Sequence, residues 1–226
     1  MNGKPDARLL TVASLVPEGA ILADVGTDHA FLPISLLEQG KIPSAVASDL
    51  RDGPCERAQL HIAQHGLSDK ITVRKTDGLH GLAAFSPTAI TICGMGGELI
   101  ASILDAAPWV KSPAISLILQ PMTKADTLRR YLASHGFLPD AERLAAEADA
   151  SKIYQIFRAH YTGVPYSLSP AQALLGDTRQ LGTSPLFSPF VQRQIALLNI
   201  RIDGLHAAGR DAHEEEATRA VLKGWL

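Results

Sequence analysis

Hydrophobic and polar positions change their spacing repeatedly along the first two thirds of the chain. Short apolar runs, typical of strands buried on both faces, alternate with segments whose apolar residues recur every three or four positions, typical of helices. The runs predict strands at residues 20–25, 45–49, 70–74, 89–93 and 115–120. The spaced segments predict helices at residues 31–39, 54–65, 97–106 and 124–135. Alternating strands and helices predict a doubly wound α/β domain with a mostly parallel sheet.

The pattern changes after Gly136. Residues 137–146 and 151–160 form two extended segments joined by a polar turn at residues 147–150, although the alanine-rich first segment fits a helix equally well. If the two segments pair, they form an antiparallel hairpin that closes one edge of the sheet.

The last third of the chain has a different composition. Residues 161–189 are rich in Pro, Gly, Ser and Thr, which predicts a connector, with one short helix near residues 171–179. Apolar residues at helical spacing predict an amphipathic helix over residues 190–208, and the charged residues 211–226 can form a second. Together these segments predict an antiparallel helical pair. The chain therefore divides into a sheet domain, residues 1–160, and a helical extension, residues 161–226.

Composition narrows the class of protein. The chain has 226 residues, of which 46% are apolar, and no apolar run approaches the roughly 20 residues that span a bilayer. Without a signal-peptide pattern, a cytoplasmic location is expected. Cys55 and Cys93 lack metal-ligand spacing, so no metal site is predicted. The net charge of -2 gives no overall signature of nucleic-acid binding. A locally basic face is still possible from Lys124, Arg129, Arg130, Arg143, Lys152 and Arg158.

A glycine turn follows the first predicted strand, at residues 24–33. Strand, glycine turn and helix together form a site for a nucleotide, because the helix start offers unpaired N–H groups. A dinucleotide site requires three glycines in the pattern G-x-G-x-x-G, and here Gly26 is followed by Asp28 and Phe31 at the other two positions. The carboxylate of Asp28 would repel a pyrophosphate and would suit a positively charged ligand. S-adenosylmethionine is the common cofactor of that kind.

Further candidate residues follow the other predicted strands. Asp49 ends the second strand, where a carboxylate can accept hydrogen bonds from both hydroxyls of a ribose. Asp77 and Gly78 follow the third strand, in position for the amino group of an adenine. Residues 94–97 follow the fourth, where the lack of side chains allows a flat base to approach. Carboxyl ends of parallel strands meet at one edge, so these groups are expected to lie together.

Each candidate also has a structural explanation. Asp49 and Asp77 could cap the helices that follow them, because Asp is a favoured capping residue. Residues 94–97 could form a tight turn that binds nothing, and His29 could be an ordinary packed histidine.

The blocks DVGTDHAFLP, SDLRDGP, GLSDKITVRKTDGL, ITICGMGGELIASIL and LILQPM resemble those of the TrmK family of bacterial tRNA (adenine-22, N1) methyltransferases, in order, over residues 7–158. The resemblance implies a Rossmann-like class I methyltransferase domain with a seven-stranded, mostly parallel sheet, followed by a helical, coiled-coil-like extension. It also implies S-adenosyl-L-methionine as cofactor, tRNA as partner, and methylation of N1 of adenine 22 in the D arm.

Site residues carry over from the family by position. The residues expected to hold the cofactor are Asp24, Gly26, Thr27, Asp28, His29, Asp49, Leu50, Asp77, Gly78 and Gly94. Those expected to face the adenine are Asp28, Gly94, Met95, Gly96, Gly97, Gln120 and Pro121. The chain departs from the family at two positions: Phe31 replaces the usual Tyr, and Met122 replaces the usual Asn.

The chemistry expected at this site is mainly positioning. Adenine N1 has a free lone pair at neutral pH, so no strong base is needed. Asp28 could offset the positive charge that passes to the ring, or it could hold the ammonium group of the cofactor; both remain open. Two other functions remain as well. The protein could methylate a small molecule or a protein, or it could be a nucleoside-binding regulator without catalysis.

Overall fold

The computed structural model describes residues 6–147 and 152–226, and in this part of the chain seven strands form one sheet. The strands are β1 (Ile21–Val25), β2 (Ser44–Asp49), β3 (Ile71–Lys75), β4 (Ala89–Gly96), β5 (Ser116–Thr123), β6 (Phe137–Ala146) and β7 (Ile153–Tyr161). Their order is β3-β2-β1-β4-β5-β7-β6. β1 to β5 pair in parallel, and β7 runs antiparallel to β5 and β6. The predicted mostly parallel sheet is confirmed.

Helices connect and cover these strands. They are α1 (Ala7–Leu15), α2 (Phe31–Glu38), α3 (Asp52–Gln64), α4 (Gly97–Asp105), α5 (Ala125–Ser134), α6 (Pro170–Leu175), α7 (Thr178–Leu181), α8 (Phe187–Ala207) and α9 (His213–Lys223). The four predicted helices of the sheet domain are present as α2 to α5. Among the described residues, none of the helices has both the length and the apolar composition needed to cross a bilayer.

The connector contains two short helices where one was predicted. Ser169 begins α6 with a capping box, and Asp177 caps α7. Between them Gly176 has φ 75°, a positive value that favours glycine and ends the first helix.

The segment that fitted either a helix or a strand is a strand. β6 pairs with β7, which in turn pairs with β5, so long-range pairing decides the conformation of an alanine-rich sequence. Ala141 and Ala145 pack in the core beside Ile156. The antiparallel hairpin at the sheet edge is confirmed. Most of its predicted turn, and Ser151 at the start of its second segment, lie outside the described residues.

Two apolar layers enclose the sheet. On one face Leu22 packs with Val12 of α1 and Leu36 of α2. On the other face Ala23 packs with side chains of α4 and α5, such as Leu128. Neighbouring residues of β1 therefore point to opposite faces, and both faces are covered, as the near-continuous apolar runs predicted.

The C-terminal helices share a smaller core with the sheet edge. Phe190 of α8 and Leu222 of α9 pack together with Leu144 of β6. The helical extension therefore packs against β6, the edge strand of the sheet. The division into residues 1–160 and residues 161–226 stays a prediction.

Polar contacts between α8 and α9 set their relative direction. Asn199 pairs with Arg219, and Arg201 pairs with Glu215 at 2.7 Å. Higher numbers in α8 meet lower numbers in α9, so the two helices are antiparallel, as predicted.

A buried ion pair connects α5 to the sheet edge and the connector. Arg129 donates to Glu142 at 2.7 Å, and their side chains are only 2% and 4% exposed. The same guanidinium donates to Gln155 and to the carbonyl of Ala173, and it lies 5.0 Å from the centre of the Phe157 ring. The suggestion that Arg129 belongs to an exposed basic face is therefore wrong, because its charge is neutralised inside the protein.

We expect Glu142→Ala to lower the free energy of unfolding by about 3–5 kcal/mol, because it leaves the buried Arg129 charge without its partner. The matched control on the same strand is Asp140→Ala, which removes a partly exposed pair with Arg158 and should cost less than about 1 kcal/mol. Urea unfolding of both variants provides the measurement. Equal losses in the two variants would contradict the assigned role of the buried pair.

Candidate active site

The carboxyl ends of five neighbouring strands meet at one edge of the sheet. β1 lies between β2 and β4, so the chain leaves it in opposite directions, and such a switch point is where open α/β sheets bind ligands. The structure brings the predicted site residues to this edge. They are Asp77 and Gly78 after β3, Asp49 and Leu50 at the end of β2, residues 24–29 at the end of β1, residues 94–97 at the end of β4, and Gln120 and Pro121 in β5.

The turn after β1 is tied to β2 and packed against β4. The N–H groups of Gly26 and Thr27 both donate to the carbonyl of Ser48, at 2.8 and 2.9 Å. Gly26 has φ 79°, and a Cβ added there would lie 2.3 Å from Cε of Met95. The positive φ favours glycine at this position, and a larger residue would also have to displace the end of the Met95 side chain.

Asp24 is a buried carboxylate at the centre of the site. Its side chain accepts a hydrogen bond from the Thr91 hydroxyl at 2.7 Å, and the residue is 7% exposed. Burial raises the pKa of Asp24, and the hydrogen bond from Thr91 opposes that rise. Thr91 is the residue opposite Asp24 in β4, so the pairing of β1 with β4 itself supplies this donor.

Asp49 presents a largely buried carboxylate beside an exposed apolar side chain. Its Oδ1 accepts from the backbone N–H of Arg51 at 2.9 Å and from Nε of Arg51 at 3.3 Å. Both contacts that the described residues make with this carboxylate reach Oδ1, which leaves Oδ2 for a ligand. Leu50, which follows, is 60% exposed. An acceptor next to an apolar surface suits a ribose and its base.

Asp77 and Gly78 lie in the turn after β3. Asp77 is exposed, and its carbonyl accepts from the N–H of His80 at 3.1 Å. Gly78 has φ 52°, and a Cβ there would be 3.1 Å from the side chain of Ile103. The turn is therefore held close to α4 while the Asp77 side chain points outward.

Residues 94–97 do not form the tight turn that was one of the two interpretations. β4 continues to Gly96, with an irregular register against β5, and α4 begins directly at Gly97. The irregularity bends the strand end. A Cβ at Gly97 would lie 2.1 Å from the carbonyl oxygen of Lys124, so the first residue of α4 lies close to the residue that precedes α5.

Gln120 is buried below this strand end and is 0% exposed. Its Oε1 accepts from Nη1 of Arg8 at 2.9 Å and from the N–H of Gly94 at 3.1 Å. Its Nε2 donates to the carbonyl of Pro121 at 3.0 Å. The amide is therefore occupied by the protein itself.

Asp28 lies at the mouth of the site and is already paired. Its side chain is 60% exposed, accepts from Arg57 at 2.5 Å, and lies 3.5 Å from Nε2 of His29. His29 stacks on Phe31, with 5.2 Å between ring centres. Phe31, at one position of departure from the family, also makes an edge contact with His61. The Asp28 charge is thus balanced by Arg57 within the protein.

Two further side chains limit the chemistry. Burial raises the pKa of the Cys93 thiol well above its usual range, so this thiol stays protonated and is not a thiolate nucleophile. Met122, the other departure, accepts from Nε2 of Gln120 through its sulfur at 3.5 Å. Among the described residues no group of His, Cys, Asp or Glu side chains is arranged to hold a metal ion.

Three residues of the site were not predicted from the sequence: Arg8, Arg57 and Thr91. Arg8 and Arg57 lie on helices, where a single arginine carries no local signal. Thr91 did carry a signal, because it is a polar residue inside an apolar strand.

Comparison with known proteins agrees with this geometry. A family model described as a methyltransferase domain matches residues 6–157. The tRNA (adenine(22)-N(1))-methyltransferase of Bacillus subtilis strain 168 is 42% identical over 129 residues, which are 57% of this chain and 54% of that protein. The alignment thus spans about half the length of this curated relative.

Two crystal structures extend the likeness to nearly the whole chain. Sp1610 of Streptococcus pneumoniae, in complex with S-adenosyl-L-methionine, is 36% identical with a TM-score of 0.81, covering 95% of this chain and 97% of that one. The m1A22 tRNA methyltransferase TrmK of Bacillus subtilis is 31% identical with a TM-score of 0.80, covering 98% and 95%. Fold and site define a class I methyltransferase domain. The chain belongs to the TrmK family, which confirms the resemblance noted in its sequence.

We expect Asp24→Asn to stabilise the protein without cofactor at pH 7 and to weaken cofactor binding. The pKa of Asp24 is higher in the folded than in the unfolded state. The protein therefore loses stability as the pH rises from the pKa of the unfolded state to that of the folded state, because the buried carboxyl must ionise. The variant lacks this cost, so its stability should fall less than that of the wild type across this range. Urea unfolding at pH 4 and pH 7, with cofactor titration calorimetry, measures both effects. A variant less stable than the wild type at pH 7 contradicts the prediction.

Proposed function

We propose that this protein transfers a methyl group from S-adenosyl-L-methionine to N1 of adenine 22 in the D arm of bacterial tRNA, in the cytoplasm. The observation that carries the proposal is the row of carboxylates and glycines along five adjacent strand ends, centred on the switch point between β1 and β4. Membership of the TrmK family supports the choice of reaction and substrate.

The residues present fit the cofactor. Asp49 offers the acceptor that a ribose diol needs, and Leu50 offers an exposed apolar surface for the adenine. Asp77 and Gly78 border the same end of the sheet. Gly26 allows the turn after β1 its positive φ, and its lack of a side chain leaves room for the Met95 methyl group. When bound, S-adenosylmethionine supplies a methyl group on a positively charged sulfonium. Asp24 gives the floor of the site an acidic character that suits this charge.

The end of β4 is our proposed contact for the target base. Gly94 and Gly96 present backbone without side chains, Gly97 follows them as the buried first residue of α4, and Met95 adds an apolar contact beside Gly26. Pro121 borders this segment from β5. Because adenine N1 already has its lone pair, the main task of these residues is to hold the base in line with the methyl group. The adenine must first leave its stack in the tRNA, so the site must accept an extruded base.

Asp28 is our proposed electrostatic residue. Its carboxylate can offset the positive charge that passes to the adenine ring during transfer. Arg57 balances this carboxylate when no ligand is bound, and both side chains are about half exposed or more. The ion pair is therefore weak enough for the Asp28 carboxylate to leave Arg57 and contact the ligand.

A basic cleft beside the site supports an RNA substrate. It has a volume of about 650 Å³ and lies between the end of β5 and the helix α8. Lys124 and Lys152 line the wall formed by the sheet domain, and Arg193 and Arg201 line the wall formed by α8. The two lysines pair with exposed glutamates at 3.9 and 3.7 Å. Such exposed pairs contribute little, so phosphates can replace the glutamates. Pro121 connects this cleft to the proposed base contact.

The direct test uses labelled S-adenosylmethionine with tRNA transcripts that carry either adenine or guanine at position 22. We expect label on the adenine transcript, located at N1 by mass spectrometry of the digested nucleosides, and none on the guanine transcript. Equal labelling of both transcripts would overturn the assignment of the position. Cofactor binding without transfer to any RNA would instead favour a nucleoside-binding regulator.

We expect Asp28→Asn to lower the single-turnover rate by about tenfold to a hundredfold at saturating tRNA and cofactor, because the variant lacks the offsetting charge. Arg57→Ala is the matched control. It keeps the carboxylate, so its rate should stay within about threefold of the wild type. An unchanged rate in Asp28→Asn, with weaker cofactor binding, would instead assign Asp28 to the ammonium group of the cofactor.

We expect the double variant Lys124→Gln, Lys152→Gln to bind tRNA more weakly and to leave the KM for the cofactor unchanged. The logarithm of its tRNA affinity should fall less steeply with salt, by about one unit of slope for each phosphate that the variant no longer neutralises. Arg179→Gln, at a site 93% exposed on α7, is the control for a general decrease in positive charge. Equal effects of the control and the double variant would exclude the cleft as an RNA-binding surface.

A further inference from the structure

Arg8, near the amino end of the chain, contacts the site through Gln120. It lies in the first turn of α1, and 112 positions separate it from Gln120, to which it donates a hydrogen bond. Its guanidinium is 3.6 Å from Asp6 and 5.8 Å from the centre of the Tyr154 ring. The side chain is 21% exposed. Arg8 therefore acts from inside the protein, on a residue that borders the base contact.

The hydrogen bonds around Gln120 fix the orientation of its amide. Arg8 and the N–H of Gly94 are both donors, so they require the oxygen of the amide on their side. The carbonyl of Pro121 is an acceptor, so it requires the NH2 group on the other side. A rotated amide would break these three hydrogen bonds and the weaker one from Nε2 to the Met122 sulfur. Since the group is fully buried, water cannot replace them.

Gly94 depends on this amide more than an ordinary strand residue would. The register between β4 and β5 is irregular from Cys93 to Gly96, so regular ladder bonds are interrupted there. Gly94 also has φ 79°, a conformation that does not continue a strand. Its N–H is held by a side chain of β5 instead of by the backbone ladder.

We propose that Arg8 is a positioning residue for methyl transfer. It holds the Gln120 amide in one orientation, and Gln120 in turn holds Gly94. Gly94 begins the glycine segment, residues 94–97, which is our proposed contact for the target base. This inference rests on the proposed function for its effect on catalysis. It also changes the expected role of Gln120, which supports the base contact from below and does not touch the base.

The first measurement needs neither cofactor nor tRNA. Hydrogen exchange at the Gly94 amide, followed by NMR, reports its hydrogen bond to Gln120 directly. We expect Arg8→Ala to speed exchange of this amide by about tenfold, and Gln120→Met to speed it at least as much. Unchanged exchange at Gly94 in Arg8→Ala would overturn the inference, whatever reaction the protein performs.

The second measurement is a double-mutant cycle on kcat. Arg8→Ala alone is expected to lower kcat by about tenfold, with the KM for the cofactor nearly unchanged, because the glycine segment is misplaced and the cofactor contacts of β1 and β2 are not. In the Gln120→Met background the same change should lower kcat by less than about twofold, because Arg8 then has no amide to orient. Equal decreases in both backgrounds would show that Arg8 does not act through Gln120.

Lys41→Ala is the matched control for loosening of α1. The Lys41 ammonium donates to the carbonyls of Ala13 and Ser14, so it ties down the opposite end of the same helix. We expect this variant to lose stability and to keep both its kcat and its Gly94 exchange rate. If Lys41→Ala lowered kcat as much as Arg8→Ala, helix anchoring would explain the effect and the inference would fail. An inactive wild type with the expected Gly94 exchange pattern would overturn the proposed function alone.

Discussion

The register of β1 between β2 and β4 is the constraint on which the site depends. It places Asp24 opposite Thr91, whose hydroxyl keeps a hydrogen bond on the buried carboxylate. It also brings the carbonyl of Ser48 to the N–H groups of Gly26 and Thr27, which fixes the turn. A shift of one residue would exchange the two faces of the strand and separate all of these groups. The geometry of the site at the ends of β1, β2 and β4 thus depends on strand pairing more than on any single residue.

Charge is distributed unevenly around this site. Asp28, at the surface, contacts Arg57, and the largely buried Asp49 contacts Arg51. Asp24 accepts a hydrogen bond from the Thr91 hydroxyl, and burial raises its pKa. An unbalanced carboxylate costs folding stability, and a positively charged ligand can offset that cost. This arrangement gives a physical reason for a sulfonium cofactor in place of a dinucleotide, whose pyrophosphate the acidic residues would repel.

Local patterns in the sequence were enough to predict the strands, most helices and the position of the site. Buried parallel strands and the residues at their carboxyl ends form recognisable sequence patterns. Long-range contacts were not visible. Pairing with β7 decided that residues 137–146 are a strand, and pairing with β5 extends β4 to Gly96. The bond from Arg8 to Gln120 joins residues 112 positions apart, and no local pattern marks it. The prediction for Arg129 was wrong for the same reason, because its partner Glu142 lies on another element.

The most direct test of the cofactor site is an amide NMR titration of the protein with S-adenosylhomocysteine, the cofactor product. A second cavity, of about 670 Å³, lies near Gly176 at the amino end of β6 and serves as an internal alternative. We expect the largest shifts at the amides of Gly26, Leu50 and Gly78, and none at Gly176. Shifts centred on Gly176, with those at the strand ends unchanged, would contradict the central claim that the switch point of the sheet holds the cofactor.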